Sequence, residues 1–266
     1  MIGSVVRIVL GLVLAIPLLA WLFQERMLFF PRGVEQPPSA RSGAEPVTVL
    51  ASDETKLRGW FLKGSETPGH VVIYFGGNAE EVSWLAGVAD QFAGWSLLLV
   101  NYRGYGESEG TPGEAELFDD ALSVYDYILR RPDVAPESIV AMGRSLGSGV
   151  AVHLAANRPV RGVILVSPYD SIVEVAKRHY PLLPVALLLR HRFDSLSEAP
   201  AIDAPLLCLV ASRDRVIPVA HSQVLFDTWR GVKTWREVPL ADHDTIAGEP
   251  GYWRAIAEYL RKLRQS

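Results

Sequence analysis

The residues of this chain best suited to do chemistry stand in "GRSLGSG". There Gly143, Ser145 and Gly147 form the pattern G-x-S-x-G between an apolar run, "SIVAM", and a helical pattern, "LGSGVAVHL". A strand that turns at once into a helix forces its corner residue into a strained conformation, and small neighbours let the backbone approach itself. Such a corner lifts a serine hydroxyl clear of the sheet. It also aims the first helical amides, chiefly that of Leu146, at whatever the hydroxyl attacks. A serine hydroxyl is a weak nucleophile unless a base takes its proton and a carboxylate orients that base. An acid and then a histidine are therefore required downstream.

Of six histidines, only His221 and His243 follow a plausible acid. His243, in "LADHDTIAG", falls between the last expected strand and the C-terminal helix, where its ring can swing back over the sheet edge. His221 begins a helix after "VIPVA" and reads as a solvated face residue. Two carboxylates compete for the third place. Asp214, in "VASRDRVIP", follows the strand ending near Ala211; Asp170, in "SPYDSI", follows the preceding strand. Asp214 is favoured because the loop after the later strand is the usual source in the order Ser, acid, His. Asp170 has another job open to it as a helix N-cap. Asp242 and Asp244 flank His243 and could modulate its proton affinity. A second oxyanion donor is expected in "YFGGNAEEVSW": Gly76 and Gly77 give the backbone freedom and Asn78 or Ala79 offers an amide, with Asn78 preferred. The same stretch also fits a plain glycine turn into a helix capped by Asn78.

These residues need a scaffold. "VTVLAS", "LRGWFLKG", "HVVIYF", "LLLVN", "SIVAMG", "RGVILVS", "PLLCLVA" and "KTWREVP" read as strands, and helical patterns cover 80–92, 114–130, "LGSGVAVHLAA" and 251–263. Apolar strands alternating with helices predict an α/β fold, a mostly parallel, doubly wound sheet covered on both faces. Residues 169–200 are longer than a simple crossover. Their apolar centre, 182–189, is too short to span a bilayer and predicts a short helical cap over the site. That cap could line an acyl pocket, rest on a membrane with Arg190 and Arg192 near head groups, or simply pack on the sheet.

With 266 residues, 49% of them hydrophobic, the chain suits one globular unit. A net charge of −4 with scattered Lys and Arg excludes a nucleic-acid partner. The single cysteine, Cys208, lies in an apolar run, so neither an internal disulfide nor a thiolate metal site is expected. Residues 8–23 are uncharged and predict one N-terminal transmembrane helix, an uncleaved anchor, with a cleaved signal peptide as the rival. Trp21, Phe23, Phe29 and Phe30 read as an interfacial belt. Arg7 on one side against Arg26 and Arg32 on the other gives no orientation. The expected organisation is an anchor at 1–30, a tether at 31–46 and a catalytic domain at 47–266. Removal of the residues before Pro31 is expected to leave a soluble, active domain.

From about Val47 to the end, these motifs resemble the α/β-hydrolase superfamily. "FGGNAE" is similar to its H-G-N-A-G oxyanion turn, "NYRGYGESEG" to its loop after the fourth strand, "GRSLGSG" to its elbow, "SRDRVIP" to its acid loop and "DHD" to its histidine loop. The anchor followed by "ERMLFFP" resembles the membrane-anchored branch with a serine-aminopeptidase-like (S33-type) domain, whose relatives include acyl-protein and acylglycerol esterases. The resemblance implies Ser145 as nucleophile, Asp214 as acid, His243 as base, and the amides of Leu146 and Asn78 as oxyanion donors. It implies no cofactor and no metal, and a small-molecule or lipid-like substrate cleaved at a carboxylic ester or thioester. A serine peptidase of the same fold and a catalytically silent, membrane-anchored interaction protein are the alternatives. Two positions depart from the family pattern: Gly76 stands where His is more common, and Glu80 replaces the last Gly.

Overall fold

Side chains alternate faces along a strand, so an apolar run buried on both sides has to be covered twice. A computed structural model describes the backbone of residues 2–265 and the side chains of residue 11 and residues 15–265. The N-terminal helix α1 (Ile2–Leu28) is followed by strands β1 (Ala44–Leu50), β2 (Lys56–Leu62), β3 (Gly69–Phe75) and β4 (Ser96–Val100). Helix α2 (Glu114–Leu129), β5 (Val134–Arg144), α3 (Leu146–Asn157) and β6 (Gly162–Val166) come next. An insertion holding α4 (Ile172–His179), α5 (Val185–Leu188) and α6 (Ser195–Glu198) precedes β7 (Leu206–Ala211), α7 (Val219–Thr228), β8 (Lys233–Val238) and α8 (Pro250–Gln265).

The strands form one sheet in the order β1-β2-β4-β3-β5-β6-β7-β8. β1 and β2 run antiparallel to their neighbours, and every pairing from β4 to β8 is parallel. In β3, Val71, Ile73 and Phe75 join a core shared with α2, α3 and α7. Val72 and Tyr74 turn the other way, into a core shared with α8. Cys208 sits midway along β7, opposite Leu165 on β6 and Trp235 on β8, and is fully buried. The helical pattern expected at 80–92 is instead a run of 3-10 turns, Val82–Phe92, interrupted at Val88. Its N-cap is Glu81, whose carboxylate accepts from the Ser83 amide, so Asn78 does not cap it.

Among the described residues no helix is long and apolar enough to cross a membrane. The single-pass anchor expected at 1–30 falls for much of its apolar stretch on residues 2–10 and 12–14, whose side chains lie outside the description. One part of that expectation is corrected. Phe29, assigned to the interfacial belt, is 4% exposed and packs edge-on against His191 and Phe193. Burying a phenylalanine contributes about 1.5–3 kcal/mol, so the domain's core holds it. Trp21, Phe23 and Phe30 are exposed. β1 begins at Ala44, inside the stretch expected to be tether.

Candidate active site

β5 ends at Arg144 and α3 begins at Leu146, leaving Ser145 alone at the corner with φ 52° and ψ −121°. A non-glycine residue in this region carries strain of about 1–3 kcal/mol, which only an over-determined surrounding sustains. Here the Ser145 amide donates to Val166 O (2.9 Å), and its carbonyl accepts from Ser148 Oγ (2.7 Å). The flanking glycines are required sterically. A Cβ on Gly143 would collide with the Gly147 carbonyl, and one on Gly147 with the carbonyl of Phe75.

The loop after β8 brings His243 to this corner. Its Nε2 lies 2.9 Å from Ser145 Oγ, and its Nδ1 lies 2.8 Å from Asp214 Oδ2. Asp214 stands in the loop after β7, where its Oδ1 accepts from the amides of Val216 (2.9 Å) and Ile217 (2.8 Å). Burial opposes its charge, but the hydrogen bond to His243, the electrostatic attraction of that imidazole and the Ile217 amide outweigh it and hold the carboxyl below the usual carboxylate range. An ionised Asp214 only accepts, so the imidazole proton rests on Nδ1 and Nε2 is left to accept from the serine hydroxyl. All three residues are nearly buried.

Asp170, the competing acid, lies elsewhere. Its Oδ1 accepts from the Ser171 amide (2.7 Å) and meets His221 Nδ1 at 2.9 Å. Two expectations are corrected by this pairing. His221 is a half-buried partner of Asp170 and not a solvated face residue. The N-cap of α4 is Ser171, whose hydroxyl accepts from Glu174 N, and not Asp170. Asp242 closes its own loop through Thr245 and the Asp244 amide, and Asp244 lies 3.8 Å from Arg144.

The turn after β3 places Gly77, Asn78, Ala79 and Glu80 beside Ser145, Arg144 and His243 around an open cleft of about 390 Å³. Leu146 is the first residue of α3, where amides have no intrahelical acceptor. Among the described residues the Asn78 and Leu146 amides have no protein acceptor. Glu80, the departure from the family pattern, ties the site together. Its carboxylate accepts from Gly77 N (2.8 Å), Tyr74 OH (2.7 Å), Trp84 Nε1 (2.8 Å) and Arg144 Nη1 (3.0 Å). Arg144 then donates from Nη2 to the His243 carbonyl at 2.9 Å. Glu80 and Arg144 thus link the glycine turn to the histidine loop. The sequence reading missed both roles; the one signal was the carboxylate standing where a glycine is expected.

A separate apolar groove of about 130 Å³ runs between α1 and the insertion, lined by Met27, Leu28, Ile172, Ala176, Val185 and Leu188. Among the described residues no group of three or more His, Cys, Asp or Glu side chains is placed to hold a metal ion.

Residues 66–195 match the family described as serine aminopeptidase, S33. The uncharacterized protein Rv2307c of Mycobacterium tuberculosis is 34% identical over 245 residues, covering 90% of this chain and 87% of that protein. The uncharacterized membrane protein YNL320W of Saccharomyces cerevisiae is 31% identical over 236 residues, covering 85% and 83% respectively. Among solved structures, the Pyrococcus furiosus esterase Pf2001 superposes with a TM-score of 0.70 at 18% identity, covering 88% of this chain and 97% of that one. With its elbow, its parallel sheet and these relatives, the chain belongs to the serine aminopeptidase S33 family and has the α/β-hydrolase fold.

Proposed function

We propose that this protein is a serine hydrolase that cleaves a carboxylic ester or thioester of a lipid-like acyl group through an acyl-enzyme. The observation that carries this reading is the continuous chain from Asp214 through His243 to Ser145, with bonds of 2.8 and 2.9 Å, opening on a cleft. His243 Nε2 takes the Ser145 proton as Oγ attacks the acyl carbon. The imidazolium that forms is stabilised by Asp214 and passes the proton to the leaving oxygen or sulfur. Charge on the tetrahedral oxygen is met by the Leu146 and Asn78 amides, the former backed by the N-terminus of α3. Water, deprotonated by His243, then releases the acid and restores Ser145.

The esterase activity named for the fold relative Pf2001 supports an acyl substrate. Membrane association belongs to the same proposal. On α1, Ile16, Leu18, Leu19, Leu22 and Phe23 are exposed, and α5 of the insertion packs beside this helix. The insertion adds Leu182 and Leu187, which are 96% and 86% exposed. Arg190 lies over the Trp21 ring at 4.1 Å, and an apolar surface of this extent suits contact with a bilayer. A yeast relative is named a membrane protein.

The test is labelling with a fluorophosphonate beside Ser145→Ala, followed by hydrolysis of p-nitrophenyl esters of graded chain length. Labelling of the wild type alone, with turnover rising toward longer acyl chains, is expected. No labelling of either protein would return the reading to a silent interaction protein. Faster cleavage of the matching anilide than of the ester would return it to a peptidase.

A further inference from the structure

The turn that offers the Asn78 amide is not held by the sheet alone. Asn78 donates from Nδ2 to the Leu28 carbonyl (2.9 Å), at the last residue of α1. Its own carbonyl accepts from Phe30 N (3.1 Å) and from Tyr105 OH (2.5 Å). The Tyr105 oxygen in turn accepts from Phe30 N (3.0 Å), and Arg32 O accepts from Gly106 N (2.7 Å). Between these bonds Phe29 is plugged into the core. Residues 28–32 therefore run as a strap across the turn, fixed to it and to the loop after β4. That loop is itself braced, because Arg103 pairs with buried Asp120 (2.8 Å) and with Asp53 (3.0 Å). Tyr105 is buried, which pushes its phenol up to about 12 and keeps it a donor across the working pH range.

The other end of the strap is helix α1, and α1 is docked on the insertion. Gln24 donates to Leu188 O (3.1 Å) and accepts from Arg190 N (2.7 Å), while Glu25 pairs with Arg190 at 3.2 Å. One path of contacts thus leads from the exposed apolar surface of α1 to Asn78, which lines the same cleft as Ser145.

We propose that the strap and Tyr105 are positioning elements for the oxyanion site, so that the docking of α1 sets how well the Asn78 amide meets the tetrahedral oxygen. This rests on the hydrolase reading above. It replaces the expectation that residues before Pro31 are dispensable, because the cut would remove Phe29 from the core and Leu28 and Phe30 from Asn78. Misplacing an oxyanion donor without deleting it should lower kcat by about 10- to 100-fold, less than the loss of a donor.

The test uses the full chain with Tyr105→Phe and, as an independent probe, Asn78→Ala, which keeps the main-chain amide but loses the bond to Leu28. Rates are compared on a p-nitrophenyl ester and on its thionoester, whose sulfur fits an oxyanion site poorly. For the wild type the oxo substrate should be much the faster. Both variants should lose kcat with KM within about twofold and with a reduced oxo-to-thiono rate ratio. If Tyr105→Phe does not fold, Asn78→Ala gives the same reading. An active wild type whose variants keep kcat, or lose it with the oxo-to-thiono ratio unchanged, overturns the proposal alone. A wild type that hydrolyses no ester overturns the hydrolase reading and this proposal together.

Discussion

Among the described residues stand two aspartate–histidine pairs of nearly equal geometry. In each, imidazole Nδ1 meets a carboxylate oxygen, at 2.8 Å for His243 and Asp214 and at 2.9 Å for His221 and Asp170. Both carboxylates are buried, and both follow strands of the parallel half of the sheet. The difference lies at the other ring nitrogen and in what holds the acid. His243 Nε2 meets a serine on a strained corner, whereas among the described residues no hydroxyl is bonded to Nε2 of His221. Asp214 is held by the amides of its own loop, while Asp170 joins the start of the insertion to α7. One pair ends on a serine, where the proposed hydrolysis would use its imidazole as a base, and the other fastens two segments. An Asp–His contact is thus not a catalytic signature until its far end is inspected.

The comparison can be broken in order of effect. Ser145→Ala and His243→Ala should each remove about 10⁶-fold of kcat, read from p-nitrophenyl ester turnover. Asp214→Asn should cost about 10³- to 10⁴-fold by favouring the wrong imidazole tautomer, whereas Asp170→Asn should stay within tenfold of wild type. The reverse ranking would exchange the roles of the two pairs. Asp170→Asn should instead lower stability by about 1–3 kcal/mol in urea melts, because the half-buried imidazole of His221 exchanges a carboxylate partner for a neutral amide. Glu80→Gln should reduce kcat by about 10- to 100-fold, since Arg144 loses its counter-charge and the link from the glycine turn to His243 slackens. Leu182→Asp and Leu187→Asp should each weaken co-sedimentation with anionic vesicles by about tenfold while sparing turnover of a soluble ester. The smallest effect concerns acid. Asp214 titrates lower folded than unfolded, so its contribution is complete above about pH 4 and fades as pH falls through the lowered folded value. Asp214→Asn should therefore flatten the acid side of the stability profile.

Most of the sheet was legible because its strands carry unbroken apolar runs and its helices carry their own period. The elbow was legible because G-x-S-x-G fell between a strand and a helix, and His243 because only one histidine followed the last strand at a loop. The 3-10 character of residues 82–92 was hidden, since the same apolar spacing suits either helix and the break at Val88 is marked only by the single Gly87 before it, which a helical pattern tolerates. Phe29 was misread because an aromatic after an apolar helix fits a membrane interface as well as a core, and only the positions of His191 and Phe193 decide. His221 and Asp170 lie 51 residues apart, so no local pattern pairs them. The strap on Asn78 escaped for the same reason: its bonds to Leu28 and Tyr105 span 50 and 27 residues.

Cys208 gives the sheet a use as its own witness. It is the one thiol of the chain, it lies between two paired strands, and burial pushes it far from the reactive thiolate form. A maleimide can reach it only when the elements packed on its face of the sheet, α7 among them, lift away. The rate of its alkylation in native buffer is then a count of how often that face of the sheet is uncovered, taken without any added label or engineered residue.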